Sequence, residues 1–209
     1  MGDMGKVLIL IPAAGAAARM RGIDKLALRV GGQPMLTHAA AIAAQTGHDV
    51  LVTLRAGDST RRALLAGQRA STAELADAAE GMSASLREGA RQARARGAAA
   101  LMVVPADLPW LTLADLSAVL AAWADMPDHA LRGTAEDGTP GHPVVLPARV
   151  FTQLLALRGD IGARAVLAQS GVRHLPLPGR HAVADIDTPE DYAALPQNPA
   201  SPPSEPGQN

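Results

Sequence analysis

Lys6-Val7-Leu8-Ile9-Leu10-Ile11-Pro12-Ala13-Ala14-Gly15, running on through Ala16-Ala17-Ala18-Arg19-Met20-Arg21-Gly22-Ile23-Asp24-Lys25, is the stretch that decides the fold. Lys6–Ile11 is an unbroken apolar run rich in β-branched residues. Such a run reads as a strand buried on both faces, the habit of a parallel sheet flanked by helices. In open α/β sheets ligands bind beyond the carboxyl ends of the strands, so the loop that leaves this strand is the first candidate site. Its side chains are tiny around Gly15, which lets backbone N–H groups approach a polyanion. Arg19, Arg21 and Lys25 then supply cations, and together these features suit a triphosphate. The loop is not a Walker A sequence, because no Gly-Lys-Ser/Thr follows, and it lacks the G-x-G of a dinucleotide fingerprint. On these residues alone, a surface connection with solvated cations is the stronger reading.

Outward from this segment, apolar runs alternate with helical patterns. Asp49–Leu54 and Ala99–Val104 read as buried strands, Pro143–Leu146 and Arg173–Leu177 as shorter ones, and Ala182–Ile186 as a last strand. Met35–Gln45 reads as a helix ending before Gly47. Ser59–Ala66 is expected to open on a Ser cap, and Ser83–Gly97 to turn Leu86 and Ala90 inward with Arg87, Arg91 and Arg94 outward. Further helices are expected over Leu113–Trp123 behind a Thr112 cap, from an Asp160 cap to about Gln169, and over Thr188–Leu195 with Pro189 in its first turn. The alternation implies an α/β domain with a mainly parallel central sheet. Residues 1–195 are expected to form a single domain, and the tail 196–209, rich in Pro, Ser, Gln and Asn, is expected to be disordered.

Composition narrows the function. The chain of 209 residues carries 19 Lys+Arg against 20 Asp+Glu, a net charge of −1, which argues against nucleic acid and anionic membrane as partners. Trp110, Trp123, Phe151 and Tyr192 are the only aromatics, too few for a base-stacking platform, and both tryptophans read as core. With no cysteine, disulfides, thiolate metal sites and cysteine nucleophiles are excluded, and a cytoplasmic setting fits. The apolar run before Pro12 is too short for a secretory leader, and no segment is apolar over a membrane-spanning length.

Asp107 follows a buried strand and lies between Pro105 and Pro109, a rigid place for a carboxylate at the ligand edge of the sheet. A metal ligand and a turn cap are equal readings of it from the residues alone. Asp185 and Asp187 alternate along the expected last strand, so only one is expected to face such a site, the other serving to cap the final helix. Gly81-Met82-Ser83-Ala84-Ser85 falls one glycine short of a nucleophile elbow, and no convincing strand precedes it, which sets a serine hydrolase with His142 or His181 aside.

Strand, then A-A-G-x-x-x-R-M-x-G-x-D-K-L, resembles the signature loop of MobA-like NTP transferases, and within that group is most similar to molybdenum cofactor cytidylyltransferases. Gly81–Leu86, Pro105-Ala106-Asp107-Leu108-Pro109, Gly141-His142-Pro143, Gly159–Arg164 and Asp185–Asp191 follow in the family's order, so the resemblance covers about residues 6–195. Two departures bear on loop geometry. Ala17 stands where a Ser or Thr is usual, and Arg21 lengthens the turn before Gly22 by one residue.

The resemblance implies a three-layer Rossmann-like nucleotide-diphospho-sugar transferase fold and Mg²⁺-dependent transfer of CMP from CTP to the terminal phosphate of molybdopterin, releasing pyrophosphate. It implies that Arg19 and Lys25 hold the triphosphate, that Ala13, Ala14 and Gly15 cradle it, and that Gly81 and Ser85 lie near the base or ribose. His142 and Arg164 would meet the acceptor. Asp107 would hold Mg²⁺ with Asp185 or Asp187, Asp185 being favoured. The Ala13-Ala14-Gly15 form is associated with CTP over GTP. Two other readings stay open: a sugar phosphate or other phosphomonoester as acceptor, and a non-catalytic carrier of the molybdenum cofactor serving a molybdoenzyme partner.

Overall fold

The computed structural model describes residues 5–15, 22–159 and 162–195. Arg19, Ala17, Arg21, the Asp160 cap and the tail 196–209 lie outside the described residues.

The first apolar run forms β1 (Val7–Ala13) in the interior of the sheet. A small hairpin, β2 (Arg29–Val30) and β3 (Gln33–Pro34), leads into α1 (Met35–Gln45), which ends at Thr46 with Gly47 at positive φ, as expected. Then come β4 (Asp49–Arg55), α2 (Ser59–Leu64), β5 (Ser71–Leu75), α3 (Met82–Ala95), β6 (Ala100–Val103) and α4 (Leu113–Ala124). The chain closes with β7 (Ala130–Thr134), β8 (Pro140–Pro147), α5 (Phe151–Leu155), α6 (Arg164–Ser170), β9 (Val172–Pro176) and α7 (Pro189–Ala193). The seven-stranded sheet has the order β5-β4-β1-β6-β8-β7-β9. All its neighbours pair in parallel except at β8, which runs opposite to both β6 and β7.

The register explains why β1 is apolar throughout. Val7, Ile9 and Ile11 point into a core shared with Leu36 and Ile42 of α1 and Leu116 and Trp123 of α4. Leu8 and Leu10 point the other way, against Leu86 of α3 and Phe151 and Leu154 of α5. Period-two geometry sends alternate side chains to two separate helix layers, so each position must be apolar. Gly89 brings α3 close to the sheet, since a Cβ there would lie 2.7 Å from Leu10 Cδ2. Among the described residues, no helix is long and apolar enough to cross a membrane.

Several elements differ from the sequence-based expectations. Asp58, not Ser59, caps α2: its carboxylate accepts from Arg61 N at 2.9 Å. Ala182–Ile186 is not a strand. The segment turns at His181–Val183 and then runs irregularly, tied by His142 N donating to Ala182 O and Ile186 N to Asp107 O. Arg87 is not a solvated outer residue, because its guanidinium reaches Asp77, Glu80 and the Leu157 carbonyl and fastens α3 to its surroundings. Arg91 is exposed, as expected.

Candidate active site

The carboxyl ends of β1 and β6 open onto a cavity of about 530 Å³. Its walls include Ala13, Gly15, Lys25, Gly81, Ser85, Asp107, Asp185 and Asp187, eight of the residues singled out from the sequence. At its centre Lys25 Nζ donates to Asp107 Oδ2 and to Asp187 Oδ1, each at 2.6 Å. All three side chains are about one-fifth to one-quarter exposed. Burial alone would lower the Lys25 ammonium, but Asp107 and Asp187 outweigh it and hold it above its ordinary value.

The two acidic segments are far apart in sequence and are brought together by backbone. Asp107 sits on the turn after β6, and its carbonyl accepts from Ile186 N at 3.0 Å. A Cβ at Gly141 would lie 2.0 Å from Ala182 O, so only glycine lets the irregular 181–187 segment press against β8. The loss of the expected strand removes the alternation argument: Asp185 and Asp187 both line the cavity. Asp187 is not the helix cap, because Thr188 caps α7 with Asp191 in a capping box. Burial pushes the Asp185 carboxyl up, with Asp187 and Asp107 adding repulsion. Three carboxylates around one ammonium leave negative charge uncompensated, and hard oxygen donors of this kind suit a divalent ion. Among the described residues no three His, Cys, Asp or Glu side chains could chelate an ion by themselves. The arrangement therefore fits an ion that takes one or two carboxylates and completes its shell from phosphate oxygens and water.

Around the exit of β1 stands a residue that the sequence did not single out. Arg61 of α2 is 6% exposed. Its Nη1 donates to Ala13 O at 2.6 Å and Gly15 O at 2.9 Å, while Nε and Nη2 donate to the two oxygens of Asp24 at 2.9 and 2.8 Å. One guanidinium thus ties both ends of the loop that resembles a phosphate cradle, and Asp24 in turn caps the short turn carrying Lys25. Arginine in a surface helix of ordinary composition carries no local signal of this role.

Ser85 is buried and accepts from Thr53 Oγ1 at 3.0 Å at the cavity wall. Gly81 begins α3 at φ +69°. Ala14 does not line the cavity; its methyl is buried against Leu75, Ala78 and Ala84. Ser83 meets Glu80 O and Arg87 rather than a histidine, and His181 pairs with Asp115. Trp110 and Trp123 are core residues, as expected.

His142 and Arg164 stand apart from the Lys25 centre and line a neighbouring cavity of about 450 Å³ with Arg132. A shallower bay of about 320 Å³, bounded by Arg132, His142, Asp107 and Asp185, lies between this cavity and the first.

A buried strand leading to a glycine-bearing loop, a cation poised beyond the sheet edge and acidic groups facing it define a nucleotide-handling α/β protein. The model of the MobA-like NTP transferase domain matches residues 9–175, and the chain belongs to that family of nucleotidyltransferases. It is 31% identical over 192 residues to the purine catabolism protein PucB of Bacillus subtilis, covering 86% of this chain and 91% of the relative. It is 30% identical over 189 residues to a molybdenum cofactor guanylyltransferase of Cereibacter sphaeroides, covering 88% and 92%. Among solved structures, Rv0371c of Mycobacterium tuberculosis superposes with a TM-score of 0.77 at 27% identity, covering 92% of this chain and 98% of that one. A structure of Rv0371c complexed with manganese superposes at 0.69 and 26% identity, covering 91% and 97%. The fold is the Rossmann-like nucleotide-diphospho-sugar transferase fold.

Proposed function

We propose that the protein transfers CMP from CTP to the terminal phosphate of molybdopterin, with Mg²⁺ as the required ion and pyrophosphate as the leaving group. The observation that carries this reading is the Lys25 ammonium held 2.6 Å from both Asp107 and Asp187 inside a cavity at the carboxyl edge of the sheet. Lys25 moves from its carboxylates to the triphosphate when nucleotide enters, and Arg19 joins it. The amides around Gly15 cradle the same phosphates, oriented by Arg61, and Gly81 and Ser85 face the nucleoside. Asp107 with Asp187 or Asp185 would hold the Mg²⁺, which supplies charge neutralisation between nucleotide and acceptor. The acceptor phosphate is already anionic near neutral pH, so the chain needs no strong general base; orientation and relief of repulsion carry the rate. The acceptor enters through the bay and cavity lined by His142 and Arg164. The Ala13-Ala14-Gly15 form supports CTP by resemblance alone, because the Ala14 methyl is turned away from the cavity and cannot obstruct a larger base, and a relative named as a guanylyltransferase supports testing GTP beside it.

Pyrophosphate release, measured with CTP or GTP, Mg²⁺ and molybdopterin or sugar phosphates, tests the assignment. Release that requires molybdopterin and is faster with CTP is expected. Release only with a sugar phosphate transfers the reading to that acceptor, and nucleotide binding without release under any pairing would favour the carrier.

A further inference from the structure

Arg132, on β7, and Arg164, at the start of α6, line the cavity beside the Lys25 centre, and neither has a carboxylate partner among the described residues. Arg132 is fixed in place by its own backbone surroundings: Nε donates to Gly141 O at 2.8 Å and Nη2 to Pro140 O at 3.3 Å. Burial and the nearby Arg164 hold the Arg132 guanidinium below its ordinary value, so the two cations sense each other. Two like charges side by side, neither hydrogen-bonded to a carboxylate among the described residues, favour an anion that completes the site. His142 does not supply one. Its Nδ1 is shut off from solvent with no hydrogen-bond partner. Buried polar atoms of this kind are ordinarily satisfied. The remaining wall is apolar, built from Met82, Leu86, Val144 and Leu167.

We propose that Arg132 and Arg164 form a clamp for the phosphate monoester of the acceptor, with the apolar wall taking an aromatic or heterocyclic body. Arg132 is then a specificity-determining residue that no local motif marks. The clamp deepens the nucleotidyl-transfer reading and rests on it for the word acceptor, but anion binding by the two guanidiniums is measurable without turnover. Arg132 also lines the bay that reaches Asp107 and Asp185, so a phosphate held there faces the nucleotide cavity.

Calorimetric titration of the full chain with phenyl phosphate, inorganic phosphate and phenol, each with and without a non-hydrolysable CTP analogue, separates the contributions. Phenyl phosphate is expected to bind tightest and inorganic phosphate more weakly, with phenol weakest. Arg132→Gln and Arg164→Gln are each expected to weaken phenyl phosphate about tenfold or more while changing analogue affinity less than twofold. Arg132→Lys is expected to recover part of the loss, since the charge survives without the planar fork. Arg164 is exposed, so its variant keeps the fold and the test should Arg132→Gln not fold. Phenyl phosphate binding that neither substitution changes, or a parallel loss of analogue affinity, would overturn the clamp. A chain that binds no nucleotide yet keeps Arg-dependent phosphate binding would instead overturn the nucleotidyl-transfer reading.

Discussion

Replacing Arg61 by alanine removes the donor group that joins the two ends of the β1 exit loop. Four hydrogen bonds vanish together: two to the carbonyls of Ala13 and Gly15 and two to the Asp24 carboxylate. Deleting one partner of a buried ion pair costs about 3–5 kcal/mol because the other charge is left uncompensated. Asp24 is 28% exposed and keeps its bond from Leu26 N, so water recovers part of that loss. The expected destabilisation is therefore at the lower end, about 3 kcal/mol. For a chain of this size that lowers Tm by about 6–12 °C. Thermal unfolding followed by circular dichroism reads the shift. Asp24→Ala should cost a comparable amount, and the double variant should cost much less than the sum, since both substitutions break one pair. Nucleotide KM should rise more than kcat falls, because the guanidinium touches the cradle and not the reacting groups. A Tm within about 2 °C of the parent, or additive single-variant losses, would refute the clamp at the loop ends.

Gly141→Ala drives a methyl into the Ala182 carbonyl, which is backbone and cannot rotate away. Overpacking of this kind costs about 1–3 kcal/mol, and because the displaced segment carries Asp185 and Asp187, turnover should fall by more than the loss of folded protein explains; activity per folded molecule is the check. His142 is driven down to about 4, first by burial and then by Arg132, with Asp107 and the Val103 carbonyl opposing. The unfolded chain takes up the imidazole proton below about pH 6.5 and the folded chain only near pH 4, so this contribution is complete above 6.5 and is lost as pH falls toward 4. Urea melts at pH 7 and pH 4.5 should show about 2 kcal/mol less pH dependence in His142→Gln than in the parent, and equal slopes would contradict the neutral buried ring. Asp107→Asn should lower pyrophosphate release about a hundredfold or more while Tm changes little, checked by the release assay and by melting. In the comparison of donors, kcat/KM for CTP should exceed that for GTP, and equal values would remove the role given to the Ala13-Ala14-Gly15 form.

The elements that announced themselves in the sequence were those whose local pattern matches their final environment. β1, β4 and β6 are buried on both faces, and each reads as an apolar run; Thr112 opens the capping box expected of it, whereas Thr188 caps α7 where one of Asp185 and Asp187 was expected to. What was hidden depended on neighbours distant in the chain. β7 (Ala-Leu-Arg-Gly-Thr) is short, with Arg132 and Gly133 in its middle, and is held by pairing with β8 and β9 rather than by its own propensity. Ala182–Ile186 has the alternation of a strand, but no strand partner takes it up; it lies against Gly141 and Asp107 instead. The site divides the same way. Lys25, Asp107, Asp185 and Asp187, which line the first cavity, were legible because recognisable motifs carry them, whereas Arg61 and Arg132 sit in a helix and a strand that look ordinary until the loop carbonyls and the second cavity are placed beside them.

A crystal structure of the full chain with Mg²⁺ and a non-hydrolysable CTP analogue tests the central claim most directly. Phosphate oxygens should contact Lys25, with the metal on Asp107 and at least one of Asp185 and Asp187, and the α-phosphate should face the bay that holds His142 and Arg132. Nucleotide bound away from Lys25, or a metal that touches none of these carboxylates, would contradict it.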